Sequence, residues 1–282
     1  MVSRSHNLAL PEGTTSLIQT LIHERTGMHF DNGKRDILLD KLSPLVIERG
    51  FGSYLDYYYL LKYDPSAHVE WQNVMNALSV QETYFWREFD QVRALVQTLV
   101  PQWHARNPNS TLRIWSAACA TGEEPLTIAI ALNEAGWFGR TSIEIVATDA
   151  SSKAIDRAVQ GLYRERSFRN LQPSLRDRYF ERDGSDWRVS SSIHSRIKWG
   201  LANLMEEDQI APLATARLIA SLRAKSSERN SASARSCNSC SAIHDPRPGM
   251  PTANTIPAIT SATVRKSRYF SAPAAASTGG GG

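Results

Sequence analysis

Thr111-Leu-Arg-Ile-Trp-Ser-Ala-Ala-Cys-Ala-Thr-Gly-Glu-Glu-Pro125, followed by Ile143-Glu-Ile-Val-Ala-Thr-Asp149, is the most informative part of the chain. It has the order strand, tight turn, helix, second strand and terminal acid. Leu112 to Trp115 is a short apolar-leaning run. Ala117, Ala118, Ala120 and Gly122 are small, so a ligand can approach the backbone closely. Pro125 suits the first turn of a helix, and Leu126, Ile128, Ala129, Ile130 and Leu132 supply its buried side. Asp149 ends a second buried strand, where a carboxylate can accept both hydroxyls of a ribose. No G-x-G-x-x-G occurs here, which counts against a dinucleotide and its pyrophosphate. A site without a phosphate-cradling loop fits S-adenosylmethionine better.

Upstream, residues 14–75 predict a small helical bundle. Leu17, Ile18, Leu21 and Ile22 recur at helical spacing, and Ile37, Leu38, Leu42, Leu45 and Val46 make a second stripe beside Lys34, Arg35, Lys41 and Arg49. Residues 54–61 are an aromatic-rich third helix closed by Asp64-Pro65, and residues 71–78 a fourth. From about residue 80 the pattern becomes alternating helix and strand. Residues 89–103 predict a helix, 111–116 and 141–149 strands, and 151–159 a helix stopped by Gly161. Two consecutive strand–helix units imply a parallel doubly wound sheet. Tyr179-Phe-Glu-Arg-Asp-Gly-Ser-Asp-Trp-Arg-Val189 predicts a small antiparallel insertion turning at Asp-Gly, and residues 193–199 the next strand.

The net charge of +4 is unevenly held. Residues 217–282 carry nine Lys/Arg and two Asp/Glu, a net of +7, which leaves 23 basic and 26 acidic residues upstream, a net of −3. The globular part is therefore mildly acidic, which argues against nucleic acid as a partner. Residues 217–282 also hold twelve Ser, twelve Ala and no Trp, although the chain has seven. Two readings of this tail stay open: a disordered basic segment, or one translated out of frame. Cys237 and Cys240 are spaced C-x-x-C with no second pair, so no metal is expected there. Cys119 has no evident His partner and reads as a small buried residue, not a nucleophile. No apolar run approaches the roughly 20 residues of a membrane span, and no signal core follows the N-terminus, so the cytoplasm is the expected location.

Two further signals carry chemistry. Asn76-Ala-Leu-Ser-Val-Gln-Glu-Thr-Tyr-Phe-Trp-Arg-Glu88 stands at the junction of bundle and sheet, and can set an amide, an alcohol and a guanidinium against a small ligand. The bland alternative is a helix start with Thr83 as its cap and the aromatics as core. Asn203-Leu204 follows the later strand, where the amide could hold an adenine edge or cap a turn.

The order Thr83-Tyr-Phe-Trp-Arg-Glu88, Ser116-Ala-Ala-Cys-Ala-Thr-Gly-Glu-Glu-Pro125, Ala147-Thr-Asp149 and Ala202-Asn-Leu204 resembles the CheR family. These are chemotaxis-receptor methyltransferases that use S-adenosylmethionine to esterify receptor glutamates. The match covers roughly residues 10–215, with Gly-Glu-Glu-Pro its most diagnostic piece. The resemblance implies that Thr83 and Arg87 approach the methionine end of the cofactor, with Arg87 close to the reacting sulfonium. Glu124, with Glu123 as rival, binds near the amino group, Asp149 holds the ribose, and Asn203 and Leu204 line the adenine pocket. Gln81 stands where better-known members carry Asn. Lys34, Arg35 and the Leu stripe behind them resemble the family's N-terminal helical domain, and Lys34, Arg35 and Lys41 could meet the acidic surface of a receptor helix; equally, Lys34, Arg35, Lys41 and Arg49 are the solvated face of an amphipathic helix.

The family's later strand, of Cys-Arg-Asn-x-x-Ile-Tyr-Phe type, has no counterpart after Arg217-Leu-Ile-Ala-Ser-Leu-Arg-Ala-Lys225. The expectation is thus an α/β chain: a helical bundle over 1–75, then an incomplete doubly wound, Rossmann-like methyltransferase sheet over 76–216 with a β insertion near 179–199, then the tail over 217–282. The leading function is methylation of glutamate side chains on the cytoplasmic helical domain of a chemoreceptor by a monomer, with loss of activity through the altered C-terminus kept open. A non-catalytic partner-binding module is the alternative from another class. A nucleic-acid methyltransferase is disfavoured by the acidic globular part and by the lack of a Pro-Pro-Tyr type tetrapeptide.

Overall fold

Helical periodicity in the first third of the chain produces four helices. The computed structural model describes residues 8–213, Ala216 and the backbone of residues 218–220. The helices are α1 (Thr14–Thr26), α2 (Arg35–Glu48), α3 (Tyr54–Tyr63) and α4 (Ala67–Leu78). Ser53 caps α3 by accepting from the Leu55 amide at 3.0 Å. Ile18, Ile22, Leu38, Leu42, Val46, Tyr57, Leu61, Val74 and Leu78 form the bundle core. The apolar stripes are narrower than their spacing predicts, because Leu17 and Ile37 face outward at 44% and 54% exposure. Glu70, 2% exposed, accepts from Tyr57 Oη at 2.6 Å and pairs with Arg49 at 2.5 Å, joining α4 to α3 and to the end of α2.

The helix expected over 89–103 runs further and is interrupted: α5 (Phe89–Ala94), a π turn (Leu95–Leu99), then α6 (Val100–Arg106). Pro101 explains the interruption. It lacks an N–H and its ring crowds the carbonyl four residues back, and the wider π turn relieves both.

Then come β1 (Leu112–Ala117), α7 (Glu123–Glu134), β2 (Ile143–Asp149), α8 (Ser152–Gln160), β3 (Leu162–Tyr163), α9 (Pro173–Tyr179), β4 (Phe180–Asp183), β5 (Asp186–Val189), α10 (Ser191–His194), β6 (Ile197–Leu201), α11 (Glu207–Ile210) and β7 (Leu218–Ala220). Four strands make a parallel sheet in the order β6-β2-β1-β7. The chain therefore steps outward from β1 through β2 to β6, then returns to the other side of β1. That reversal is the switch point of a doubly wound sheet, beside which ligands bind at the carboxyl ends of the strands. One face is buried under α7 and the α5–α6 segment through Leu112, Ile114, Ile145 and Ala147. The other carries Trp115, Ala117 and Val146 against Leu204, Ile210, Leu213 and Ala216.

The insertion is antiparallel, in the order β3-β5-β4, with the hairpin turning at Gly184, whose φ of 62° is a left-handed one. Two expectations change. Residues 193–199 alternate like a strand, yet Ile193 (2% exposed) anchors the short helix α10 in the core, and pairing starts only at Ile197. The sheet also continues beyond residue 216: Leu218 to Ala220 pair with Ile114 to Ser116, inside the segment read from sequence as tail. From residue 221 both readings of the tail, and Cys237 and Cys240, lie outside the described residues. Among the described residues no helix is long and apolar enough to cross a membrane.

Candidate functional site

The parallel register sets Ala117 beside Thr148 and Asp149 beside Leu201, so the turns leaving β1, β2 and β6 share one edge. In the first turn Ala118, Ala120 and Gly122 have φ of 56°, 49° and 96°. Small residues tolerate this backbone, and Gly122 has no alternative. A Cβ there would stand 2.8 Å from a Trp199 ring carbon and 3.0 Å from Tyr163 Oη. The Asp149 carboxylate closes the turn, with Oδ2 accepting from the Ala120 amide and Oδ1 from the Ser151 amide, each at 2.9 Å.

The two glutamates after Gly122 diverge. Glu123, 3% exposed, accepts from Thr121 Oγ1 at 2.6 Å and Ser167 Oγ at 3.2 Å. Burial pushes its carboxyl above the ordinary range, against the lowering effect of those hydrogen bonds. Glu124, 8% exposed, accepts from Ser116 Oγ at 2.7 Å at the end of β1. Cys119 is 2% exposed, and burial together with the Asp149 and Glu124 charges raises its thiol far above the usual range, which disables it as a nucleophile.

Residues 83–88 are a turn and not a helix start, and Thr83 is no cap, since α5 begins at Phe89 behind Glu88. Phe85, fully buried, ties the turn down by donating its amide to the Ser167 carbonyl at 2.9 Å. The Trp86 amide meets Thr127 Oγ1 of α7 at 3.3 Å. The Arg87 guanidinium, on the same turn, donates to the Glu82 carbonyl and lies 5.6 Å from the Tyr84 ring centre. Trp86 (φ 63°) and Glu88 (φ 48°) flank it in the left-handed region. Among the described residues, these two with Ala118 and Ala120 are all the non-glycine residues at positive φ. Such conformations cost about 1–3 kcal/mol each and cluster where geometry serves function.

Gln81 joins the same edge, donating from Nε2 to Ser151 Oγ at 3.3 Å. Asn203 stands there too, but its side chain is engaged elsewhere: Nδ2 donates to the Arg25 carbonyl at 2.9 Å and Oδ1 accepts from the Met205 amide at 3.0 Å. Leu204 packs on the Trp115 face of the sheet. Of the basic trio, Lys34 and Arg35 are exposed at the head of α2, Lys34 facing Asp31 at 4.0 Å. Lys41 is half-buried. Its ammonium donates to the carbonyls of Ala77 and Leu78 at 3.0 and 3.4 Å, where it satisfies the C-terminal end of α4.

Sequence reasoning missed Asn76. Its Oδ1 accepts from Ser151 Oγ at 2.8 Å and from the Lys153 amide at 3.2 Å, clamping α4 onto the turn after Asp149. The available signal was an amide in a last helical turn, a position where Asn is a poor helix former. Beside this clamp, a cleft of about 530 Å³ opens between the bundle and the sheet edge, lined by Arg25, Trp71, Gln72, Met75, Ala150, Leu201 and Asn203 among others. It adjoins Asp149 through Ala150 but does not include Glu124 or Arg87.

The donor set suits S-adenosylmethionine. Carboxylates at Glu124 and Asp149 match an ammonium and a pair of hydroxyls, and neither a glycine-rich phosphate loop nor a cluster of basic side chains lies in the turn between them. Family models agree: residues 15–79 match the CheR methyltransferase all-alpha domain, and residues 81–214 the CheR methyltransferase SAM binding domain. The chain is 32% identical to Chemotaxis protein methyltransferase 2 of Vibrio cholerae, over 68% of this chain and 67% of that protein. It is 30% identical to the Chemotaxis protein methyltransferase of Klebsiella aerogenes (75% and 72% covered) and 29% to that of Salmonella typhimurium (75% and 73%). A helical unit ahead of a switch-point sheet, with a carboxylate-lined, phosphate-free turn at its edge, is thus the frame of a chain that belongs to the CheR methyltransferase family and takes S-adenosylmethionine as its cofactor.

Proposed function

We propose that this chain acts in the cytoplasm, as a monomer, to methylate glutamate side chains on the helical cytoplasmic domain of a chemoreceptor, forming glutamyl methyl esters. The carrying observation is the clustering of strained backbone: among the described residues, the four non-glycine residues at positive φ fall in the turn after β1, which Asp149 closes, and in the turn bearing Arg87. In this reading residues 1–75 serve receptor docking, with Lys34 and Arg35 as exposed basic contacts, and residues 76–216, extended by β7, serve the cofactor.

The bound cofactor supplies an electrophilic methyl group. Asp149 holds the ribose hydroxyls, its carboxylate already fixed by two backbone amides. Glu124 receives the amino group. Thr83, Gln81 and Arg87 would hold the methionine end, and Asn203 and Leu204 would hold the adenine. Glu123 holds the turn together and does not contact the ligand.

No residue has to move a proton. A glutamate with a reference pKa of about 4.3 is already an anion at neutral pH. Arg87 must leave the Glu82 carbonyl to align that carboxylate, and orientation alone can remove about 7–11 kcal/mol of barrier. Incubating the chain with methyl-labelled S-adenosylmethionine and receptor-bearing membranes tests the reading. Label should enter the receptor band and be released as methanol by mild alkali, as for an ester. Alkali-stable label, or label in nucleic acid instead, contradicts it.

A further inference from the structure

Tyr84 gathers two guanidinium groups from different parts of the chain. Arg169 stacks with its central carbon 3.6 Å from the ring centre, and Arg87 stands 5.6 Å from the same centre. The two segments are rigidly joined beneath. Phe85 and Phe168 stack at 5.1 Å with 17° between their planes, and the Phe85 amide donates to the Ser167 carbonyl. Above this floor, Arg164, Arg166 and Arg169 all face solvent on one short turn. The acid within that turn does not neutralise them. Glu165 is held by Arg176 at 2.9 Å, by Arg182 at 3.4 Å and by Trp187 Nε1 at 2.8 Å. Glu82 meets Arg169 only at 3.9 Å and is itself 75% exposed, a weak pair that a competing carboxylate can displace.

We infer that Tyr84, Arg87 and Arg169, with Arg166 beside them, are the receiving surface for an acidic helix of the methyl acceptor. The inference rests on the methyl-transfer reading above and names the surface that selects its substrate. A guanidinium stacked on a ring is pre-organised and keeps its planar fork for a carboxylate. Carboxylates three or four residues apart on a helix are neighbours, at about 5–6 Å between Cβ atoms. One such pair can place the acceptor glutamate at Arg87 and its neighbour at Arg169.

The experiment is fluorescence anisotropy with a labelled, glutamate-rich helical fragment of a chemoreceptor cytoplasmic domain, run on the wild-type chain, Arg169→Glu and Arg169→Lys. Arg169→Glu should weaken fragment binding at least about tenfold, equivalent to about 1.4 kcal/mol. Arg169→Lys, which keeps charge but loses the planar stack, should fall between. Calorimetry with S-adenosylhomocysteine should give the same affinity for Arg169→Glu as for wild type, which separates a local effect from misfolding. Equal fragment binding by wild type and Arg169→Glu, a parallel loss of S-adenosylhomocysteine affinity, or no fragment binding by wild type would each overturn the inference. Wild type that binds the fragment but transfers no methyl group overturns the proposed activity and leaves this surface standing. Methyl transfer by Arg169→Glu at the wild-type KM does the reverse.

Discussion

Glu123 shows how much of the site is set by a single buried side chain. Its carboxylate joins Thr121 in the turn after β1 to Ser167, whose carbonyl in turn holds Phe85 two residues before Arg87. Glu123→Ala strands two hydroxyls and should cost about 1–3 kcal/mol, measured by urea unfolding. Glu123→Gln should cost less and should carry a pH signature. The folded-state pKa lies above the unfolded value of 4.5, with desolvation as the main cause. Its stabilising share is therefore complete below about 4.5 and is lost as pH rises through the folded value. The stability of Glu123→Gln relative to wild type should improve from pH 5 to pH 8; a difference that stays flat contradicts the assignment. The residue types at this edge stand out in the sequence as a strand-ending Asp and paired glutamates after a small-residue turn. Their division of labour does not. Adjacent glutamates look alike in sequence, and the positions of Ser116, Thr121 and Ser167 distinguish the contacts of Glu124 from those of Glu123.

At the scale of elements, two junctions matter. Asn76 pins the last turn of α4 to the start of α8, directly beyond Asp149. Asn76→Ala should speed amide hydrogen exchange at residues 151–154 without changing exchange in the core of α7; unchanged exchange at 151–154 would show the clamp to be idle. Glu70 performs a similar service inside the bundle. Glu70→Ala leaves the buried Tyr57 hydroxyl without its acceptor and should cost about 1–3 kcal/mol in thermal or urea unfolding. Element types were readable wherever one period persisted, as in α7, β2 and the Gly184 hairpin. They failed where a local pattern was overridden. Ile193 is held by core packing in a helical turn despite strand-like alternation, and Pro101 converts part of a long helix into a π turn. The bonds from Lys41 to the end of α4 are equally invisible in its stripe of neighbours.

At the scale of the whole molecule, the described residues form a helical unit and a switch-point sheet that meet at the turn after Asp149. The sheet was predicted to stop near residue 216, because Arg217-Leu-Ile-Ala carries none of the family's later motif; three residues suffice to pair with β1 all the same. β7 covers the hydrogen-bonding edge of β1 at Ile114 to Ser116. A chain shortened to residue 213 should therefore self-associate with rising concentration, whereas one shortened to residue 225 should stay monodisperse by light scattering. Equal behaviour of the two would remove β7 from the account. We propose that the edge formed by β1, β2 and β6 is a working S-adenosylmethionine site. In a calorimetric titration with S-adenosylhomocysteine, the wild-type chain should show one site and Asp149→Ala at least about tenfold weaker binding. Absence of binding by the wild-type chain at millimolar ligand, or equal affinity in Asp149→Ala, would contradict it.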